Sequence, residues 1–132
     1  MGKWITPTVD VRVLGDRKYL TLTPVIYQDD NGTVHETPAG RDTDFGSTWG
    51  IPIVSTHFDG IAQKACIRHD DDYRSGKTPR KQADRLLREA ALAELLEQGW
   101  TQEDAEEKAN GFYYGVRLFG KSSYKGKEEW ND

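Results

Sequence analysis

The stretch ACIRHDDDYRSG, residues 65–76, sets a histidine directly before three aspartates and a tyrosine. An imidazole can take a proton from water near neutral pH, and a carboxylate bound to one ring nitrogen fixes its tautomer and raises its basicity. Asp84, further along the chain, is the candidate for that carboxylate. His69 and Asp84 together would form a general-base dyad.

The same region offers oxygen ligands for a hard cation. Asp70 is rotated by about 100° from His69 on an ideal helix, so it points to the edge of the same site. Asp44 lies in the preceding loop, where backbone carbonyls are also available. Calcium takes several oxygens from carboxylates, carbonyls and water, so Asp44, Asp70 and the loop form a candidate calcium site.

Two helices must bring His69 and Asp84 together. Apolar residues recur at three- and four-residue spacing from Phe58 to Tyr73, which predicts a first helix with His69 and Tyr73 facing inward. On a second helix, Asp84 shares a face with a row of apolar side chains: Leu87, Ala91 and Leu95. A short turn at 75–78 would make the two helices antiparallel neighbours.

Capping residues mark where the later helices begin. Thr78 and Pro79 are a good N-cap and first-turn pair for the second helix, which should end near Gly99. Thr101, followed by Asp104, starts a third helix.

The rest of the chain completes a single domain, residues 1–132, of the α+β class. Val9, Val11 and Val13 alternate with polar residues, as in a half-buried strand, and the residues from Asp29 to Gly32 form a strong hairpin turn. We therefore predict a small N-terminal antiparallel sheet followed by a three-helix bundle. The predicted division is strands in 1–37, a loop in 38–57, helices in 58–120 and a polar, frayed tail in 121–132.

Composition limits the classes of function. The 132 residues are 36% hydrophobic and 30% charged with a net charge of -4, which is typical of one globular domain without the positive face that nucleic-acid binding requires. No window approaches the roughly 18 uninterrupted apolar residues of a membrane span, and the N-terminus has no apolar run of signal-peptide length. Cys66, the single cysteine, excludes an internal disulfide. We expect no nucleic-acid partner, no transmembrane segment and no signal peptide.

A structural interpretation of the same residues stays open. A histidine on an apolar face is usually a core residue with one hydrogen bond satisfied, and Asp84 would then be its partner or an acceptor for Arg80 or Arg88. Arg117 would instead reach Asp70 or Asp84 as an ion pair, which would block the cation.

The segment CIRHDDDYR, residues 66–74, resembles the active-site helix of the phospholipase A2 enzymes, most closely the bacterial and fungal kind. The resemblance implies a phospholipase A2-like helix pair and ester hydrolysis. It assigns the base to His69, the dyad carboxylate to Asp84, a supporting hydroxyl to Tyr73, and calcium ligands to Asp70 and Asp44. The secreted phospholipases depend on disulfides, and a chain with one cysteine departs from them there.

Four segments follow one another along the chain: PAGRDTDFGS, ACIRHDDDY, RKQAD and YYGVRLFG. This order resembles a family of small bacteriophage and prophage proteins of unassigned function. The resemblance implies a phage origin, with the protein in the host cytoplasm or in the virion, and says little about chemistry.

Two functions are therefore expected. The first is a phage-encoded, calcium-dependent hydrolase with a His-Asp dyad, acting on a phospholipid or another ester. The second is a non-catalytic virion or tail-assembly protein whose buried His-Asp network holds helices together, with other phage structural proteins as partners.

Overall fold

The computed structural model describes residues 2–15, 18–43 and 61–132. Within these residues short strands precede three helices, so the predicted α+β layout is confirmed. The strands are β1 (Lys3–Trp4), β2 (Val11–Gly15), β3 (Lys18–Thr21), β4 (Val25–Gln28), β5 (Val34–Thr37) and β6 (Asp42–Thr43). The helices are α1 (Gln63–Ser75), α2 (Arg80–Glu97) and α3 (Gln102–Phe119).

The strands form two antiparallel sheets of three strands each, in the orders β1-β4-β5 and β2-β3-β6. The predicted hairpin turn joins β4 to β5. Its Asp29 Oδ1 accepts the backbone N–H groups of Asn31 and Thr33, both at 2.9 Å. Gly32 adopts a φ of 83°, a conformation that glycine enters without a steric penalty. Strand β6 lies within the segment predicted as loop.

α1 and α2 run antiparallel on either side of a short turn. The Tyr73 hydroxyl contacts Asp84 near that turn. At the far end, Glu94 of α2 accepts the backbone N–H groups of Lys64 and Ala65 at 3.1 and 3.0 Å. Because the first N–H groups of a helix have no partner within it, Glu94 supplies the N-terminal cap of α1 from a neighbouring helix.

The helix starts follow the predicted caps in part. Thr101 caps α3 as expected, since its hydroxyl accepts the Asp104 N–H at 3.2 Å. The cap of α2 is Pro79 and makes no side-chain hydrogen bond. Thr78 instead offers its carbonyl to the Tyr124 hydroxyl at 2.6 Å.

The core lies where the three helices meet the β1-β4-β5 sheet. Trp4 anchors the sheet to α2, because its indole Nε1 donates to the Ala90 carbonyl at 3.0 Å. The largest side chains that are almost fully enclosed are Tyr27, Tyr73, Phe112, Ile67, Leu87, Leu95, His69, Val25 and Val116. His69 is therefore part of the core.

The C-terminal segment is ordered, in contrast to the predicted frayed tail. It forms two 3₁₀ turns, Lys121–Ser123 and Glu128–Trp130. Between them Tyr124 is buried, its ring meets Tyr73 edge to face with centroids 5.4 Å apart, and the Lys125 N–H donates to the Tyr73 carbonyl. Buried Tyr124, together with the partly buried Trp130 that packs against the same cluster, thus fixes a segment whose composition is mostly polar.

Candidate active site

The predicted contact between His69 of α1 and Asp84 of α2 is present. His69 Nε2 lies 2.7 Å from Asp84 Oδ1, and both side chains are 0% exposed. An ionised carboxylate oxygen can only accept a hydrogen bond. We therefore place the imidazole proton on Nε2, which donates to Asp84 Oδ1. Nδ1 is then the basic ring nitrogen, which is the atom that a general base uses.

Tyr73, to which the resemblance assigned a supporting hydroxyl, contacts the same carboxylate oxygen. Its hydroxyl donates to Asp84 Oδ1 at 2.6 Å, and its ring lies 4.2 Å from the His69 ring. The Arg80 Nε donates to the Tyr73 hydroxyl at 3.2 Å, while its Nη2 donates to the Val116 carbonyl at 2.7 Å. Arg80 therefore links the site to the end of α3, a role that its helical spacing did not indicate.

Arg117 of α3 pairs with the second oxygen of the carboxylate. Its Nη1 donates to Asp84 Oδ2 at 2.8 Å, and its side chain is 20% exposed. Of the two partners considered from sequence, Asp84 and not Asp70 receives this cation. Because His69 and Arg117 occupy different oxygens, the arginine does not displace the imidazole.

The surroundings of Asp84 keep it ionised. Burial alone would raise its pKa, but the hydrogen bonds from His69, Tyr73 and Arg117 outweigh burial and hold the pKa below its usual range. The pKa of Tyr73 is raised, first by burial and then by the adjacent Asp84 charge, so its hydroxyl keeps its proton and donates. At neutral pH the site thus consists of an anionic carboxylate held by three donors.

The two candidate calcium ligands have different outcomes. Asp44 lies outside the described residues. Asp70 is buried, and its Oδ2 lies 3.2 Å from the Arg74 Nε, whose side chain is 42% exposed and also contacts Asp42. Within residues 2–15, 18–43 and 61–132, no group of three or more His, Cys, Asp or Glu side chains is placed to hold a metal ion. The described residues thus supply one carboxylate toward the proposed site.

The other two aspartates of the HDDDYR stretch join α1 to the sheet. Arg68 Nη2 donates to Asp72 at 2.8 Å, and Arg68 Nη1 donates to Thr37 of β5 at 2.6 Å and to Asp71 at 3.3 Å. Burial raises the pKa of Asp72, although Arg68 opposes that effect. Asp72, like Asp70, is therefore a buried carboxylate of α1.

A small cavity lies beside His69 on the side of the sheet. The volume open to the centre of a water molecule is about 10 Å³. Tyr27, His35, Arg68 and Asp72 line part of this cavity. This volume suits about one water molecule.

Comparison with known proteins places the chain in a family. A family described as "Protein of unknown function (DUF1353)" matches residues 20–103, which include His69, Tyr73 and Asp84 and exclude Arg117. No curated protein and no solved structure matches the chain. Among the described helices, none combines the length and the apolar character needed to cross a membrane. Because the match covers well over half of its length, the chain belongs to the DUF1353 family.

Proposed function

We propose that this protein is a hydrolase in which His69 acts as the general base and Asp84 orients it. The observation that carries the proposal is the 2.7 Å contact between His69 Nε2 and an ionised carboxylate that is fully buried. A structural histidine needs only one hydrogen-bond partner of any kind. An anion held by three donors is costlier to bury, and its charge suits an imidazole that becomes positive during a reaction.

The proposed step is the activation of water. His69 Nδ1 takes a proton from a water molecule as the water oxygen attacks the carbonyl carbon of an ester. The charge of Asp84 stabilises the imidazolium formed on His69. As the tetrahedral intermediate collapses, the carbon–oxygen bond to the alcohol breaks and the proton passes from His69 to the departing alkoxide, leaving a carboxylic acid and an alcohol. Tyr73 and Arg117 keep the carboxylate in place and are positioning residues.

We further propose that Asp70 and Asp44 hold calcium, which would supply charge stabilisation for the oxyanion of the ester. Asp70 adjoins His69 in the chain, and its partner Arg74 is exposed and already has a second acceptor in Asp42. Arg74 can therefore leave Asp70 without losing all of its contacts. The test is thermal unfolding in a calcium titration, where a ligand that binds only the folded state raises the melting temperature.

The asparagine variant of Asp70 separates this site from nonspecific ion effects. Calcium should raise the melting temperature of the unmodified protein and leave that of Asp70→Asn unchanged. An equal response of both proteins, or of neither, contradicts the proposed ligand.

The substrate and origin are supported by the sequence resemblances. The phospholipase A2-like helix favours a phospholipid ester, and the four ordered segments favour a phage or prophage source. Hydrolysis should therefore be measured on phospholipid vesicles and on a soluble short-chain ester in parallel.

His69→Gln tests the base directly. Activity on either ester should be lost, while the circular dichroism spectrum stays that of the folded chain. His35→Gln is the matched control, because His35 also pairs with an aspartate, at 2.8 Å from Asp29. Equal activity of the two variants would contradict the assignment of His69.

A second candidate function is a non-catalytic virion or tail-assembly role. The observation that favours it is that Asp84 alone ties α1, through His69 and Tyr73, and α3, through Arg117, onto α2. Under this proposal no ester is cleaved, calcium does not change the melting temperature, and His69→Gln acts only by lowering stability.

A further inference from the structure

The outer face of α3 carries apolar side chains that point away from the core. Tyr114 is 62% and Leu118 is 74% exposed. They recur with Gly111 at the three- and four-residue spacing of one helical face, opposite the residues that α3 buries. The buried set is Ala105, Ala109, Phe112, Gly115 and Val116. Two large apolar side chains thus stand exposed on one face of α3, where a partner could cover them.

A groove lies on the same face, about one heptad from Leu118. It has a volume of about 450 Å³ and is lined by Trp100, Asp104, Glu107, Lys108 and Gly111, so one large aromatic ring lies among charged side chains. A Cβ atom built on Gly111 would meet no atom within 4 Å, so the floor of the groove is open. The face therefore pairs a protruding leucine with a depression beside a glycine.

The charges along α3 select the direction of a partner helix. The first turns carry exposed acids, among them Glu103 and Glu107, and exposed Lys121 and Lys125 follow the last turn. A second copy of α3 packed antiparallel would set Glu107 near Lys121 of the other copy. A parallel copy would place like charges side by side, which is unfavourable.

We propose that this chain forms a symmetric homodimer through antiparallel packing of α3, with Leu118 of each copy seated in the groove beside Gly111 of the other. Both contacts form when the two-fold axis passes close to Tyr114. Such an isologous interface uses each contact twice, so one surface patch satisfies itself. The interface is a single pair of helices, which is small for a stable dimer. We therefore expect a dissociation constant in the micromolar range or above.

Sedimentation equilibrium of the full chain over a concentration series tests the dimer. Leu118→Glu should raise the dissociation constant by more than about tenfold, because at both ends of the interface it removes the contact of the leucine with Trp100 and adds an acid beside Asp104 and Glu107. Val13→Glu is the matched control, since Val13 is a comparably exposed aliphatic on β2. A monomer at every concentration, or a dimer unaffected by Leu118→Glu, overturns the proposal.

Charge reversal tests the antiparallel direction. Glu107→Lys and Lys121→Glu should each weaken the dimer by about two- to tenfold, and the double variant should restore it, because the opposite charges then meet again. A double variant that is as weak as the singles overturns the antiparallel arrangement.

A cysteine at Tyr114 provides a readout that does not depend on affinity. Tyr114→Cys should form a disulfide between two copies under mild oxidation, since the residue lies close to the axis. Leu118→Cys should not, because the two copies of residue 118 are separated by about 10 Å along the helices. The reverse pattern overturns the proposed register.

Discussion

Replacing Asp84 by asparagine removes one charge while nearly keeping the shape of the side chain, so its cost measures the electrostatic part of the site. The carboxylate accepts from three donors. An amide has one acceptor oxygen and one nitrogen that only donates. If the oxygen keeps His69 and Tyr73, the nitrogen faces the Arg117 guanidinium, donor against donor.

The magnitude can be worked from these contacts. A hydrogen bond to a charged group contributes about 1.5 to 3 kcal/mol, and the remaining bonds to the neutral amide weaken as well. Arg117 is one fifth exposed and regains part of its solvation from water. We expect Asp84→Asn to lower the free energy of unfolding by about 2 to 4 kcal/mol at neutral pH.

Urea unfolding followed by circular dichroism measures this change, with Asp42→Asn as the matched control. Asp42 also pairs with an arginine, at 3.2 Å from Arg74, but its side chain is 53% exposed. Its replacement should cost less than about 1 kcal/mol. In the double variant Asp84→Asn/Arg117→Met the facing donor is gone, so the combined cost should fall below the sum by about 1 to 2 kcal/mol.

The pH dependence supplies the refuting result. Because the folded-state pKa of Asp84 is lowered, its stabilisation is present above the ordinary pKa of aspartate and is lost as the pH falls through the folded-state value. The difference between the unmodified protein and Asp84→Asn should therefore be largest near neutral pH and shrink in acid. If Asp84→Asn costs no more than Asp42→Asn at neutral pH, the buried three-donor carboxylate is refuted.

Three further variants probe the elements around the site by thermal or urea unfolding. Gly76→Ala should destabilise the chain by more than about 1 kcal/mol, because Gly76 has a φ of 63° and its new Cβ would meet the Gly126 backbone; equal stability would contradict this packing. Tyr124→Phe removes the hydroxyl that donates to Thr78 and should cost about 1 kcal/mol, and an unchanged melting temperature would contradict the anchoring of the tail. Burial raises the pKa of Glu94, so the unmodified protein should gain stability relative to Glu94→Gln as the pH falls from neutral through that raised value, and a parallel pH profile of the two proteins would contradict it.

The helical half of the fold and the contact within the site were predictable because one periodicity governs both. His69 and Asp84 sit on stripes whose other members are apolar, and a short turn between two such stripes leaves only an antiparallel pair. The contact between Arg117 and Asp84 was one of two options, because the sequence does not tell which of the two carboxylates, Asp70 or Asp84, lies beside the end of α3. Only the packing of α3 decides between them.

Local sequence patterns did not predict the burial of strand β2 or the order of the C-terminal tail. The alternation of Val9, Val11 and Val13 predicted a half-buried strand, but Val13 is 69% exposed on β2. Alternation tells which residues share a face and does not tell whether that face meets the core. The tail was predicted to fray because it is polar. Its residue Tyr124, however, donates to the Gly76 and Thr78 carbonyls in the turn between α1 and α2, and these contacts hold the tail in place.

The free energy needed to bury the charge of Asp84 helps to distinguish a catalytic role of the site from a structural one. An apolar cluster of similar volume often stabilises a fold as well as a buried ion pair or better, because charges must lose their hydration. Here the Asp84 charge is buried, and Arg117 and Tyr73 both donate hydrogen bonds to it. Arg80 in turn joins Tyr73 to α3, because it donates to the Tyr73 hydroxyl and to the Val116 carbonyl. Such a network fixes the orientation of the His69 imidazole, which the proposed general base requires. Measuring ester hydrolysis by His69→Gln beside His35→Gln therefore distinguishes a catalytic role of His69 from a purely structural one.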